Sequence, residues 1–352
     1  MKRVRCADGS SLYAYTSPGP ARILVCSTPS SRRLLTDPTI CGAAYRQLSR
    51  TAVAEALRLL TDADVAGLTT TPADQFAALT VLRGGLSFGV EDAVGQVLGA
   101  DPVVSFVGTE RPSDGAVELT YDRWELAEAT FLVVGDIIGT GGTLARTLTE
   151  AVERAARRGR PLRSLLVFTI GSRLGVQRLE AALADVDAAS RPSLIVVVLE
   201  SLYELPTPGT QAPFARFPFD LLRSPVTSAP EYEEARLRAV GSLFERCAVY
   251  DGGVRAFTPA EHGELRSGWW ADVVDRKVRL GELAALTAGL ETYRLPLEDW
   301  KRVIPWSSHV DEEGAAVIHG LGRAALSLSE RLDTHDYLSH FLTGKGKLVG
   351  TA

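Results

Sequence analysis

Residues 131–147, FLVVGDIIGTGGTLART, constrain this chain more than any other stretch. Phe131 to Val134 read as a buried strand. Gly135 and Asp136 follow, then Ile137, Ile138 and the run Gly139-Thr140-Gly141-Gly142-Thr143, before a helical pattern that continues to about Arg158. A strand that feeds a Gly/Thr-rich turn opening a helix makes an anion site. The first N–H groups of the helix lack helical partners, its N-terminus carries partial positive charge, and glycines let a phosphate approach the backbone. Thr140 and Thr143 add hydroxyl donors. The spacing is neither that of a Walker loop nor that of the dinucleotide fingerprint. Around this unit, strand patterns alternate with helical ones through residues 78–205, which predicts an α/β domain on a parallel sheet.

Composition narrows the function classes. The chain has 352 residues, 45% of them hydrophobic and 23% charged, enough for one large core or two smaller ones. A net charge of −5 gives no basic footprint for nucleic acid. No apolar run reaches membrane-spanning length, and MKRVRCADGS lacks the apolar stretch of a signal peptide. Cys6, Cys26, Cys41 and Cys247 are scattered without a CxxC, as free thiols in a reducing cytoplasm would be.

Residues 1–30 predict short strands, with an Asp8-Gly9 hairpin turn and a second apolar run, ARILVCS. A helix starting at Thr36 or Thr39 follows, with Tyr45, Leu48, Ala52, Ala56 and Leu59 at helical spacing. The stretch 78–99 is the second informative one: an apolar strand ends in Leu82-Arg83-Gly84-Gly85-Leu86 before another helix. An arginine beside two glycines suits phosphate oxygens, which its planar fork meets bidentately.

Together these motifs resemble type I phosphoribosyltransferases, in outline closest to the uracil enzymes over residues 24–210. The 131–147 stretch is similar to that family's loop for 5-phosphoribosyl diphosphate (PRPP), and Leu82–Leu86 to its diphosphate loop. Thr109-Glu110-Arg111 matches the base of its flap, a device that shields the reacting centre from water. The resemblance implies an α/β, parallel-sheet type I phosphoribosyltransferase fold over residues 31–209, preceded by the strands of 1–30. Residues 210–352 would form a mainly helical C-terminal extension. It implies that Arg83, Gly84, Gly85, Asp136, Ile137, Gly139, Thr140, Gly141, Gly142 and Thr143 bind PRPP. Asp136, Arg83 and Arg111 would carry catalysis, Mg²⁺ would be the cofactor with Asp136 as its protein ligand, and a cytoplasmic homodimer is expected.

The chain also departs from the family. Gly135 stands where a first acidic residue is expected, and Gly139 where purine enzymes offer a candidate base. Beyond the last core strand, Leu199–Gly209 keeps a Pro-Gly but not the Gly-Asp clamp on a pyrimidine edge. Neither uracil nor a common purine is supported as acceptor. Glu200, Tyr203 and Glu204 are the available readers of a small acceptor bearing N–H groups. The competing class is a PRPP- or nucleotide-binding regulator that has lost catalysis. In the C-terminal region the five histidines show no zincin spacing and are expected at the surface or as caps, and the tryptophans as buried anchors.

Overall fold

The computed structural model describes residues 1–82, 84–110, 117–126, 128–205, 225–239, 253–275, 277, 279, 281, 289–304 and 306–331. The chain opens with a hairpin, β1 (Lys2–Ala7) and β2 (Ser10–Tyr15), whose turn residues Asp8 and Gly9 both have positive φ. That pair of left-handed residues matches the twist of two antiparallel strands, as the Asp-Gly dipeptide foretells. Next come β3 (Arg22–Ser27), α1 (Pro29–Thr36) and α2 (Gly42–Asp62). The long helix begins after Cys41 rather than at Thr36 or Thr39, and α1 is an additional element.

The core then runs β4 (Phe76–Leu82), α3 (Val90–Leu98), β5 (Val103–Glu110), β6 (Glu118–Arg123), β7 (Phe131–Ile138), α4 (Gly142–Arg157), β8 (Ser164–Ser172), α5 (Arg173–Ala184) and β9 (Ser193–Tyr203). The strands form one sheet in the order β1-β2-β3-β9-β8-β7-β4-β5-β6. From β3 to β5 every neighbouring pair is parallel. β3, β4, β7, β8 and β9 read as near-continuous apolar runs because both faces of the sheet are covered there, whereas β5 leaves Val103 and Phe106 exposed. The fold class expected from the sequence, α/β on a parallel sheet, is the one observed.

The order of the strands locates the crevice. From β4 the chain steps outward to β5, whereas from β7 it steps the other way to β8 and β9. Right-handed crossovers in opposite directions place α3 on one face and α4 and α5 on the other. Ligands of open α/β sheets bind outside the carboxyl ends of the strands at such a reversal, here between β4 and β7.

The C-terminal region is mainly helical among its described residues. A short strand, β10 (Pro225–Ser228), pairs antiparallel with β9, and α6 (Pro230–Arg238), α7 (Pro259–Asp275), α8 (Leu297–Val303) and α9 (Glu312–Arg331) follow. Trp300 is its anchor, stacked on Tyr293 and edge-on to Trp306, each at 5.6 Å between ring centroids. His262 and His319 are buried rather than at the surface; a ring nitrogen of each lies 2.8 Å from a main-chain oxygen, of Pro38 and Leu295 respectively. Cys6, Cys26 and Cys41 are free thiols, and Cys247 lies outside the described residues. Among the described residues no helix is long and apolar enough to cross a membrane.

Candidate functional site

The two glycine-containing turns singled out in the sequence emerge from adjacent strands at the reversal point. Thr80 of β4 pairs with Gly135 of β7, so the turn after Leu82 and the turn after Ile138 lie side by side. Gly84–Ser87 forms a tight 3-10 turn, closed by Phe88 N donating to Gly85 O at 3.1 Å. Gly141 is the N-cap of α4 at φ +76°, and the first helical bond runs from Ala145 N to Gly141 O at 2.9 Å. The N-cap residue makes no side-chain cap bond, and the first turn holds no acidic residue. With Thr140 exposed and Gly142 and Thr143 half-buried, the N-terminus of α4 opens to solvent.

Close packing fixes the turn's shape. A Cβ on Gly141 would lie 2.6 Å from Gly175 O, and one on Gly175 would lie 2.7 Å from Gly139 O. Only glycine at both positions lets the turn press against the start of α5. Ser172 Oγ locks the contact, donating to Gly139 O at 2.6 Å while accepting from Gly175 N at 2.9 Å.

Asp136 sits at the base of the turn and is buried. Its Oδ1 accepts from Ile137 N at 2.8 Å, a bond that favours the ionised form. Burial outweighs it and lifts the carboxyl pKa from 3.8 to about 7. Gly135, in the place of a first acid, has a packing cause. A Cβ there would lie 2.7 Å from Cγ of Phe88, a side chain with no solvent exposure. The ring of Phe88 therefore takes the room that a side chain at 135 would need. Ile137, two residues on, reaches the C-terminal region: a Cβ on Gly253 would lie 2.9 Å from Ile137 Cδ1 and 3.4 Å from Tyr45 Oη.

The structure brings Gly84, Gly85, Asp136, Ile137 and the turn Gly139–Thr143 to one edge of the sheet. Arg83 and Arg111 lie outside the described residues. Glu200, Tyr203 and Glu204 are at the end of β9 in three different settings. Glu200 is fully buried, with Oε1 accepting from Thr28 N at 2.9 Å and from Ser31 Oγ. Burial again dominates and raises its pKa to about 7. Tyr203 is buried with its hydroxyl 3.3 Å from that of Tyr232. Glu204 is half-exposed and pairs with Arg173 at 2.8 Å. Sequence reasoning missed Phe88, Ser172 and Gly175, which shape the turn without belonging to its motif. Among the described residues no cluster of three or more His, Cys, Asp or Glu forms a metal site.

No protein-family model matches the chain, and no curated protein matches it. Solved structures similar to it include hypoxanthine-guanine phosphoribosyltransferase from L. donovani, at 16% identity over 45% of this chain and 82% of that one, with a TM-score of 0.29. Adenine phosphoribosyltransferase from Trypanosoma brucei, in complex with AMP, pyrophosphate and ribose-5-phosphate, is similar at 14% identity over 50% and 83%, TM-score 0.30. A purine phosphoribosyltransferase from Pyrococcus horikoshii is similar at 17% identity over 46% and 91%, TM-score 0.26. Each is named for a purine or a purine base, whereas the motifs ran closest in outline to uracil enzymes.

Proposed function

We propose that the chain is a phosphoribosyltransferase, moving the 5-phosphoribosyl group of PRPP to a small acceptor bearing N–H groups and releasing diphosphate. The observation that carries this reading is the pairing of two glycine turns on adjacent strands, with one buried carboxylate between strand and turn. The glycine-led N-terminus of α4, with no acid in its first turn, meets the needs of a 5′-phosphate, and the Gly84–Ser87 turn those of the leaving diphosphate. Asp136 accepts hydrogen bonds from the ribose hydroxyls. Ligand hydroxyls and a cation favour its ionised form, offsetting the burial that holds the free carboxyl near neutrality.

Mg²⁺ fits this donor set, because that ion takes one or two carboxylates plus substrate oxygens rather than an all-protein cage. Asp136 would hold it, and when bound it supplies positive charge to the diphosphate. Positioning and fixed dipoles then assist as the C1′–O bond to diphosphate breaks, with its electron pair leaving on diphosphate, and the acceptor nitrogen bonds to C1′ and releases its proton to solvent. Arg83 and Arg111 remain proposed partners of the diphosphate and of the closed site. The acceptor is proposed to be neither uracil nor a common purine, and the homodimer stays an expectation from resemblance.

A second reading, a PRPP-binding regulator without turnover, is favoured by Phe88 closing the position of the first acid. The test is incubation with PRPP and Mg²⁺ and a panel of nitrogenous acceptors, following diphosphate release and PRPP affinity. Release that depends on an acceptor supports the enzyme. Tight PRPP binding with no release supports the regulator, and no PRPP binding overturns both.

A further inference from the structure

The opposite edge of the sheet, where β3, β8 and β9 begin, carries a cavity of about 690 Å³. Its charged lining consists of Arg22, Arg163, Arg191 and Glu180. The sheet explains why they meet. Arg22 opens β3 and pairs with Ile195 of β9, Ser193 N donates to Arg163 O at 2.9 Å, and Arg191 lies just ahead of β9. Neighbouring parallel strands start side by side, so the residues leading into them share one mouth.

Two of the guanidiniums are oriented by neutral groups. Arg163 Nη2 donates to Thr71 Oγ1 at 2.9 Å, and its guanidinium carbon lies 4.9 Å from the ring centroid of Phe131. Arg191 Nη2 donates to Ala184 O at 2.6 Å and to Val186 O at 2.9 Å. Glu180 stands at the rim beside the start of β3: its Oε1 accepts from Ala21 N at 2.9 Å, and its carboxylate lies against Gly19. Three arginines against one carboxylate still leave the lining positive on a chain whose net charge is −5. Concave sites focus such a field, and guanidiniums already held in place lose less freedom on meeting a phosphate. The remaining wall includes Pro20, Ala66, Leu183 and Leu194, an apolar surface for an organic moiety. The volume lies within the range of small-molecule sites.

We propose that this cavity binds an organic phosphate of nucleotide size, with its phosphate on Arg22 and Arg191 and its organic part against Pro20 and Leu183. The site is separate from the turn at α4. β8 runs from Ser164 at the cavity to Ser172 at the turn, about 26 Å at the rise of a strand. It does not depend on the proposed transfer reaction.

The test is isothermal titration calorimetry of the full chain with AMP and with inorganic phosphate, each with and without saturating PRPP and Mg²⁺. AMP is expected to bind in both conditions, inorganic phosphate more weakly, and both less tightly as salt is raised. The double variant Arg22→Ala/Arg191→Ala should weaken AMP about 10²-fold, roughly tenfold for each charge-assisted contact removed. Both side chains are exposed, so the variant should keep PRPP affinity and, with the loss of the Arg191 bonds to Ala184 O and Val186 O, lower the thermal midpoint by only about 2–4 °C. Arg191→Lys should fall between wild type and Arg191→Ala. AMP binding that vanishes when PRPP is present, or that the double variant retains in full, overturns the proposal.

Discussion

Two strand–turn–helix units open on the same edge of the sheet, one after β3 and one after β7, and they treat their helix N-termini in opposite ways. At α1 the chain supplies its own anion. Thr28 and Ser31 form a reciprocal capping box, Thr28 N and Ser31 Oγ also donate to the Glu200 carboxylate, and Ser30 Oγ donates to Glu55 at 3.0 Å. At α4 nothing comparable is seen among the described residues: the N-cap is Gly141, which makes no side-chain cap bond, and no acid lies in the first turn. The electrostatics of the two helix starts are alike, so the difference is one of occupancy. A helix N-terminus satisfied by a buried carboxylate is architecture. One that begins at a glycine with no acid in its first turn, beside a second glycine turn, is a place for a ligand's phosphate.

The largest effect expected from this contrast is at Asp136. Asp136→Asn should lower acceptor-dependent diphosphate release on the order of 10²-fold, the scale for losing one preorganised group at a reacting centre. The ligand-free variant should be no less stable than wild type at pH 8, because a buried carboxylate has been replaced by a neutral amide. Unchanged turnover would remove Asp136 from the ribose site.

Glu200 should behave in the reverse way. Glu200→Ala strips partners from Thr28 N and Ser31 Oγ and leaves a cavity, at a cost of about 3 kcal/mol in chemical denaturation. PRPP affinity should stay as it was. A change in acceptor preference without loss of stability would instead make Glu200 an acceptor reader. The two carboxyls also set a shared pH dependence. Burial raises Asp136 from 3.8, and Glu200 from 4.5, each to about 7. Between those limits the folded chain holds more protons than the unfolded chain, so stability falls as pH rises and levels off above about 7. PRPP with Mg²⁺ should remove the part due to Asp136 and leave the part due to Glu200, as Asp136→Asn and Glu200→Gln would each show in denaturation midpoints measured across that range.

Much of this frame was legible in the sequence. The Asp8-Gly9 hairpin, the inner strands and the Gly/Thr turn rest on local patterns, and each appears where those patterns put it. β7 proved longer than its apolar run because Gly135 to Ile138 stay in register with Phe168 to Gly171 of β8. The helix α1 was missed, although Thr28-Pro29 is a cap followed by proline at the first helical position. Other features were beyond local reading. Glu200 and Thr28 are 172 residues apart, and the absence of a side chain at 135 makes sense only once Phe88 is seen against it. The setting of Glu200, Tyr203 and Glu204 likewise depends on α1, α5, α6 and β10, which no motif at 199–209 encodes.

That second pair offers a smaller test of whether the bare site was shaped by packing. Gly135→Ala should cost about 2 kcal/mol, since an added methyl meets Phe88 in a filled core. Phe88→Ala is costly on its own, but the double variant should be less destabilised than the sum of the singles by about 1–3 kcal/mol. Additive losses in a denaturation cycle would mean that Phe88 is not what excludes a side chain at 135.

The smallest effect concerns why Glu200 reaches α1 at all. Its φ is +68°, a left-handed conformation that L side chains rarely adopt. It falls where β9 changes partner: β3 pairs with it through Leu199, and β10 takes over at Ser201. Glu200 O accepts from Ala229 N at 2.8 Å at that handover. If the handover imposes the bend, Glu200→Gly should be more stable than Glu200→Ala. Both lose the carboxylate, but only alanine keeps the left-handed penalty of about 1–2 kcal/mol. The greater freedom of glycine in the unfolded chain takes back part of this, leaving a difference of about 1 kcal/mol in favour of glycine. Parallel urea titrations of the two variants resolve a gap of that size. Equal stabilities, or an advantage for alanine, would mean that the backbone relaxes once the carboxylate is gone. The bend would then be drawn in by the N-terminus of α1, and not set by the exchange of β3 for β10.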